Sequence, residues 1–157
     1  MRAPSLYTHF GSKNAIYDAM FEQAWSTYLE LAEGLEEDPT RPRSSLRRYA
    51  GSFFDYAVAD LARHQLMNQR TIPGFEPTAK AYEPAVQVLE LFRHRLAALG
   101  VSQDEDVDLC VAMIGGLVDA QLANDPGGNR WGRLLDRLVN MFADNVGLPP
   151  DTPQDLS

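Results

Sequence analysis

The sequence predicts an all-α fold, a bundle of long helices. Three observations carry this. Apolar residues recur three and four apart through several segments of about twenty residues, the period of a one-sided helix. The segments between them hold Pro, Gly, Asp and Asn, the residues of turns and caps. No run alternates apolar and polar residues with the β-branched enrichment of strands. With 157 residues and 45% hydrophobic content, the chain is long enough to bury a substantial core.

Residues 3–10 form one short helical piece at most, broken by Gly11-Ser12. Ser12 suits the N-cap of a long helix from Lys13 to Glu33, striped by Ile16, Met20, Ala24, Tyr28, Leu31 and Leu35. A second helix is expected from about Ser45 to Met67, with Leu46, Ala50, Phe53, Phe54, Ala57 and Leu61 on one face and Ser44 or Ser45 as cap. Pro73, Gly74 and Pro77 then mark a loop. Thr78 caps a third helix to Leu99, with Ala85, Leu89, Phe92, Leu96 and Leu99 on its stripe, Pro84 in its early turns and Gly100 as terminator. Ser102 and Glu105 have the spacing of a capping box.

The fourth long helix, to about Ala123, has two apolar stripes. Cys110, Ile114, Leu117 and Gln121 form one; Leu109, Met113, Gly116 and Ala120 form the other, so both sides need covering. Gly115 and Gly116 each cost about 1 kcal/mol against Ala in a helix and are tolerated where another backbone comes close. A turn over residues 124–128 leads to a last helix from about Asn129 to Val146, with Trp131, Leu134, Leu135, Leu138, Val139, Phe142 and Val146 on a wide stripe. Gly147-Leu148-Pro149-Pro150 ends it, and a polar, disordered tail is expected over residues 149–157.

The net charge of −8 argues against a surface devoted to nucleic acid, although residues 1–13 carry +2 and leave −10 to the remainder. No apolar run is long enough to cross a bilayer and no signal-peptide pattern opens the sequence, so a cytoplasmic protein without a membrane partner is expected. The single cysteine, Cys110, reads as a small core residue. The three histidines, His9, His64 and His94, have no metal-ligand spacing, and no nucleophile motif or phosphate loop appears. No cofactor, metal or catalytic residue is expected, and the chain does not read as an enzyme.

Ser5-Leu6-Tyr7-Thr8-His9-Phe10-Gly11-Ser12-Lys13-Asn14-Ala15-Ile16 resembles the signature of the TetR family of bacterial transcriptional repressors, where a DNA-reading helix turns into the long helix behind it. Gln121-Leu122-Ala123-Asn124-Asp125-Pro126-Gly127-Gly128, followed by Arg130-Trp131, resembles the ligand-binding domains of actinobacterial members. The resemblance implies a TetR-like helical bundle that works as a homodimeric repressor. Its dimerising C-terminal helices carry one interface, and a small apolar ligand in the helical core shifts two DNA-reading heads. It assigns Ser5, Tyr7, Thr8, His9 and Lys13 to operator DNA. Donors of these types beside a helix N-terminus suit phosphate.

Ligand candidates on this reading are Met20, Trp25, Phe54, Tyr56, Met67, Phe75, Tyr82 and Phe92. Interface candidates are Met113, Gly116, Leu117, Ala120, Trp131, Leu135, Leu138 and Phe142. The organisation implied is a helix-turn-helix remnant over residues 1–33 and a ligand-binding and dimerisation domain over residues 34–148. The family's head has two more helices upstream of Ser5, which this sequence lacks. Operator binding is expected if the complete head is present; the alternative is a stand-alone dimeric helical protein that binds a ligand and no DNA.

Overall fold

The computed structural model describes residues 11–153, so Ser5, Tyr7, Thr8 and His9 lie outside the described residues. Within this span the chain is all-helical, with no strand. Helix α1 (Lys13–Glu33) packs most extensively on α4 (Ala79–Ala98). Helix α2 (Pro42–Val58) packs on α5 (Asp104–Asn124) and α6 (Leu135–Asn145), and the short α3 (Leu61–Asn68) bridges α1 and α2.

Local signals set several boundaries as expected. The Ser12 hydroxyl accepts from the Ala15 N–H at 3.1 Å and starts α1. Thr78 does the same for Ala81 at 3.2 Å and starts α4, while Asp18 on α1 accepts from the Thr78 N–H and hydroxyl at 2.7 and 2.8 Å. Gly100, at φ +100°, ends α4: its N–H bonds the Ala97 carbonyl and that of Val101 bonds Leu96, the paired closure for which a left-handed residue is needed.

Other boundaries differ. The helix expected over 45–67 is two helices. Asp60 turns its carboxylate onto the Arg63 N–H at 3.0 Å, a cap that competes with continuing the helix. Arg63 then folds back, its guanidinium 3.6 Å from the Tyr56 ring centroid, and donates to the Tyr56 carbonyl at the break.

Helix α2 begins earlier than Ser45, with Pro42 in its first turn and no cap from Ser44 or Ser45. Its cap comes from the chain's far end, where Asp151 accepts from the Arg43 and Ser44 N–H groups and the Ser44 hydroxyl. Residues 149–153 are therefore tied to the bundle at Asp151. Burial pushes the Asp151 carboxyl up, but these donors and the Arg41 charge outweigh it and hold it below the usual carboxylate range. A lowered native pKa adds stability that is present above the unfolded value and is lost as pH falls through the native one. Asp151→Ala is expected to cost about 1 kcal/mol, the worth of a helix cap, and to flatten the acid limb of urea-unfolding stability below about pH 4.

The expected capping box is not formed. Helix α5 starts at Asp104 behind Gln103, with no side-chain cap, and its first turn is stabilised by Asp104, Glu105 and Asp106 against the helix dipole. The last helix starts later than Asn129: a 3-10 turn (Gly132–Leu134) precedes α6.

Gln121, 2% exposed, explains this delay. Its Oε1 accepts from the Trp131 and Gly132 N–H groups at 2.9 and 3.1 Å, and its Nε2 donates to the Asp125 and Gly128 carbonyls. One buried amide thus shapes the whole α5–α6 turn.

The main core joins α2, the end of α4, α5 and α6 through Leu46, Ala50, Phe54, Leu96, Ile114, Val118 and Phe142. A smaller one gathers Ala24, Tyr28, Ala32 and Met67, and Phe53 touches both. The α1 face that meets the bundle is Phe21, Ala24, Tyr28 and Ala32, rotated from the expected stripe, and Met20 and Leu31 point to solvent. Helix α1 shares this core with α3 and α4.

Cys110 lies in the main core, and burial pushes its thiol up to about 12. The folded chain is expected to resist iodoacetamide at pH 8 and to react stoichiometrically in urea, read by intact mass.

Candidate functional site

A cavity of about 150 Å³ lies between α1, α2, α4 and α5. Helix α1 lines it with Trp25, Tyr28 and Ala32, α2 with Tyr49 and Phe53, α4 with Ala85, Val88, Leu89, Leu91, Phe92 and Arg95, and α5 with Val111 and Ile114. Leu35 adds to the wall from the α1–α2 connection and Asn68 from the end of α3. The lining is aromatic and aliphatic, the chemistry of a site for small hydrophobic molecules.

Its phenols stay neutral. Burial pushes Tyr28 above the usual tyrosine range, against the smaller pull of the Ser52 hydroxyl and the Arg95 charge. Burial raises Tyr49 as well, again against Arg95.

Among the described residues, the one cation in the wall is Arg95, 5% exposed. Its Nε donates to Glu37 at 3.0 Å, Nη1 to the Ala32 carbonyl at 2.6 Å and Nη2 to the Leu35 carbonyl at 3.3 Å. The guanidinium also sits 5.0 Å from the Tyr49 ring centroid. Its two Nη atoms hold carbonyls at the C-terminus of α1 and just beyond it, and Nε holds Glu37.

Beside the cavity, His64 is 3% exposed. Asn68 Nδ2 donates to its Nδ1 at 3.2 Å, which assigns the proton to Nε2, the donor to Asp119 Oδ1 at 3.1 Å. Gln69 donates to the same carboxylate oxygen at 3.1 Å. This cluster ties the end of α3 to α5.

The structure brings only part of the expected ligand set together. Trp25 and Phe92 line the cavity. Met20 and Tyr56 border a separate groove between α1 and α3, and Met67, Phe75 and Tyr82 border a third hollow beneath the 69–78 loop. Phe54 packs in the main core, close enough that a Cβ on Gly132 would meet its ring at 3.0 Å. The rotation of α1 explains Met20, which is half exposed at 50%. Sequence reading missed Tyr28, Tyr49, Phe53 and Arg95. The one available signal was Arg95, a cation beside the Phe92–Leu96 stripe.

The expected interface residues also divide. Leu117, Leu135 and Phe142 are buried in the subunit's own core. Gly116 is exposed, and Met113, Ala120, Trp131 and Leu138 are half-buried. Leu109 and Ala112 extend the outward side of α5, and Met141, 59% exposed, extends that of α6, with Leu134 in the turn before it. A Cβ at Gly115 or Gly116 would meet nothing within 4 Å inside the subunit. The close approach expected of these glycines is therefore not made to any described part of this chain.

Lys13, the one expected DNA contact among the described residues, is exposed at the first position of α1, with Nζ 5.8 Å from the Tyr17 ring centroid. Among the described residues, no cluster of three or more His, Cys, Asp or Glu side chains is arranged to hold a metal ion, and no helix is long and apolar enough to cross a membrane. No family model, curated protein or solved structure matches the chain.

Proposed function

We propose that the chain is a TetR-like transcriptional regulator: a homodimer that responds to a small apolar molecule in the α1–α5 cavity and binds operator DNA if the complete head is present. The observation that carries this reading is the continuity of α1. One helix begins at Lys13, the end of the Ser5–Lys13 motif, and lines the cavity with Trp25, Tyr28 and Ala32. At 1.5 Å per residue, Lys13 and Trp25 lie about 18 Å apart on one rigid rod. A molecule that displaces Trp25 and Tyr28 tilts that rod and so moves whatever Lys13 and the motif before it hold. Selection from a randomised duplex pool with the full chain tests this. Enrichment of a palindrome, bound with a steep salt dependence, supports the regulator; a pool without enrichment leaves the stand-alone ligand-binding dimer.

Pairing is assigned to the outward side of α5 and α6. Leu109, Ala112, Met113, Gly116 and Ala120 follow helical spacing on α5, with Leu138 and Met141 on α6 and Leu134 in the turn before it. Small residues there let two backbones approach, and two helices from each copy make a four-helix bundle across a two-fold axis. A Cβ at Gly116 meets no atom of its own subunit within 4 Å, so Gly116→Arg is expected to keep the fold while placing a cation on the axis face. Its dimer dissociation constant is expected to rise about a hundredfold or more, read by sedimentation equilibrium. An unchanged constant rules this face out.

A further inference from the structure

We propose that the cavity selects an uncharged hydrophobic molecule of about six to ten non-hydrogen atoms and rejects the matching carboxylates, although an arginine stands in its wall. The inference rests on the reading of this cavity as an effector site. Size sets the first limit: the volume is about 150 Å³, and an apolar cavity of that volume holds benzene.

Charge sets the second. A buried guanidinium usually marks a site for an anion, but three of the five N–H groups of Arg95, one on each nitrogen, already donate to Glu37 or to carbonyls at the end of α1. Glu37 also neutralises its charge at 3.0 Å. A carboxylate that enters gives up its water for phenols, rings and aliphatic side chains, and it meets the Glu37 charge behind Arg95. An uncharged molecule gives up little and gains contact with Trp25, Phe53 and Phe92. The rim agrees. Leu89 of α4 and Val111 of α5 both line the cavity and are exposed, at 39% and 45%, so the entrance is apolar.

Acetophenone and benzoate test this, because they have nearly the same shape and differ by a methyl group in place of a charged oxygen. Calorimetric titration of the full chain at pH 7 is expected to give acetophenone a Kd of about 0.1–1 mM and benzoate one at least about tenfold weaker. Glu37→Gln keeps an acceptor for Arg95 Nε but removes the compensating charge, and is expected to narrow that gap at least threefold by tightening benzoate. Ala85→Leu, which fills the wall, is expected to weaken acetophenone at least tenfold, with circular dichroism reporting the fold.

Benzoate binding equal to or tighter than acetophenone overturns the proposal. So does a lack of binding by both compounds, a gap unmoved in Glu37→Gln, or acetophenone binding indifferent to Ala85→Leu in a folded protein. Failure of the regulator reading is seen separately. A chain that binds acetophenone in this way and enriches no duplex loses the operator and keeps the cavity's selectivity.

Discussion

Gln121→Leu is expected to destabilise the subunit by about 3 kcal/mol, and Gln121→Glu by more at pH 7. The carboxamide is 2% exposed and makes four bonds, two accepted by Oε1 and two donated by Nε2. Leucine keeps most of the volume and leaves the Trp131 and Gly132 N–H groups and the Gly128 carbonyl without their partner, while the Asp125 carbonyl keeps only the Gly128 N–H. Each buried orphan costs about 1–3 kcal/mol, partly recovered where the turn opens to water. Glutamate is worse for a different reason. It sets a carboxylate oxygen where Nε2 faced the Asp125 and Gly128 carbonyls, so three acceptors meet with no proton between them.

The two variants are therefore expected to separate by pH. When the carboxyl introduced by Gln121→Glu is protonated it regains a donor, so its native pKa lies above the unfolded value, and the native state binds the proton more tightly. The protonated variant's stability is present at low pH and is lost as pH rises. Urea midpoints should show Gln121→Glu recovering relative to Gln121→Leu between about pH 6 and 4. In a thermal scan at pH 7, Gln121→Leu should lower Tm by on the order of 10 °C. A loss below about 1 kcal/mol would mean that the turn finds other partners and that the amide does not organise it.

The sequence announced the parts of this fold that depend on neighbours in the chain. Ser12, Thr78 and Gly100 end or start helices through bonds that span three to five residues, and their residue types carry that chemistry. The cap of α2 comes from Asp151, about a hundred residues away, and nothing near Ser44 points to it. Asp60 was local but ambiguous. The apolar stripe runs on past it, and only the tertiary turn of Arg63 onto Tyr56 favours the break.

The cavity was harder to read for a geometric reason. Periodicity tells that α1 is one-sided, but a rotation of one residue exchanges Met20 for Phe21 and Leu31 for Ala32. Trp25 and Phe92 survive because large aromatic side chains reach the interior over a range of rotations. Tyr28 was legible as stripe and not as lining. On α5 the doubled stripe was legible, and its first member set is buried while Leu109, Met113, Gly116 and Ala120 face outward or lie half-covered.

Arg95→Met is expected to cost about 3 kcal/mol, while Glu37→Gln costs under about 0.5 kcal/mol. The contrast follows from where the partners lie. Glu37 has a side chain 49% exposed, so water compensates the loss of its charge, and the neutral variant still offers Arg95 an oxygen. The Ala32 and Leu35 carbonyls belong to the end of α1 and its exit, and Arg95 Nη1 meets the first of them in a fully buried bond. Methionine matches the length and apolar stem of the arginine but donates nothing, so both carbonyls lose a charge-assisted bond.

Arg95→Lys separates the charge from the fork. An ammonium keeps the charge beside Glu37 but does not reach acceptors at separate edges of the guanidinium at once, so an intermediate loss of about 2 kcal/mol is expected. Equal losses in Arg95→Met and Glu37→Gln would make the ion pair the stabilising contact. The ordering Met, Lys, then the Glu37 variant makes Arg95 a clamp that fixes the end of α1 against α4, with the ion pair secondary. That distinction also bears on the cavity. A clamp keeps three of its five N–H donors on the protein, and with Glu37 beside it the guanidinium offers a passing anion little net charge.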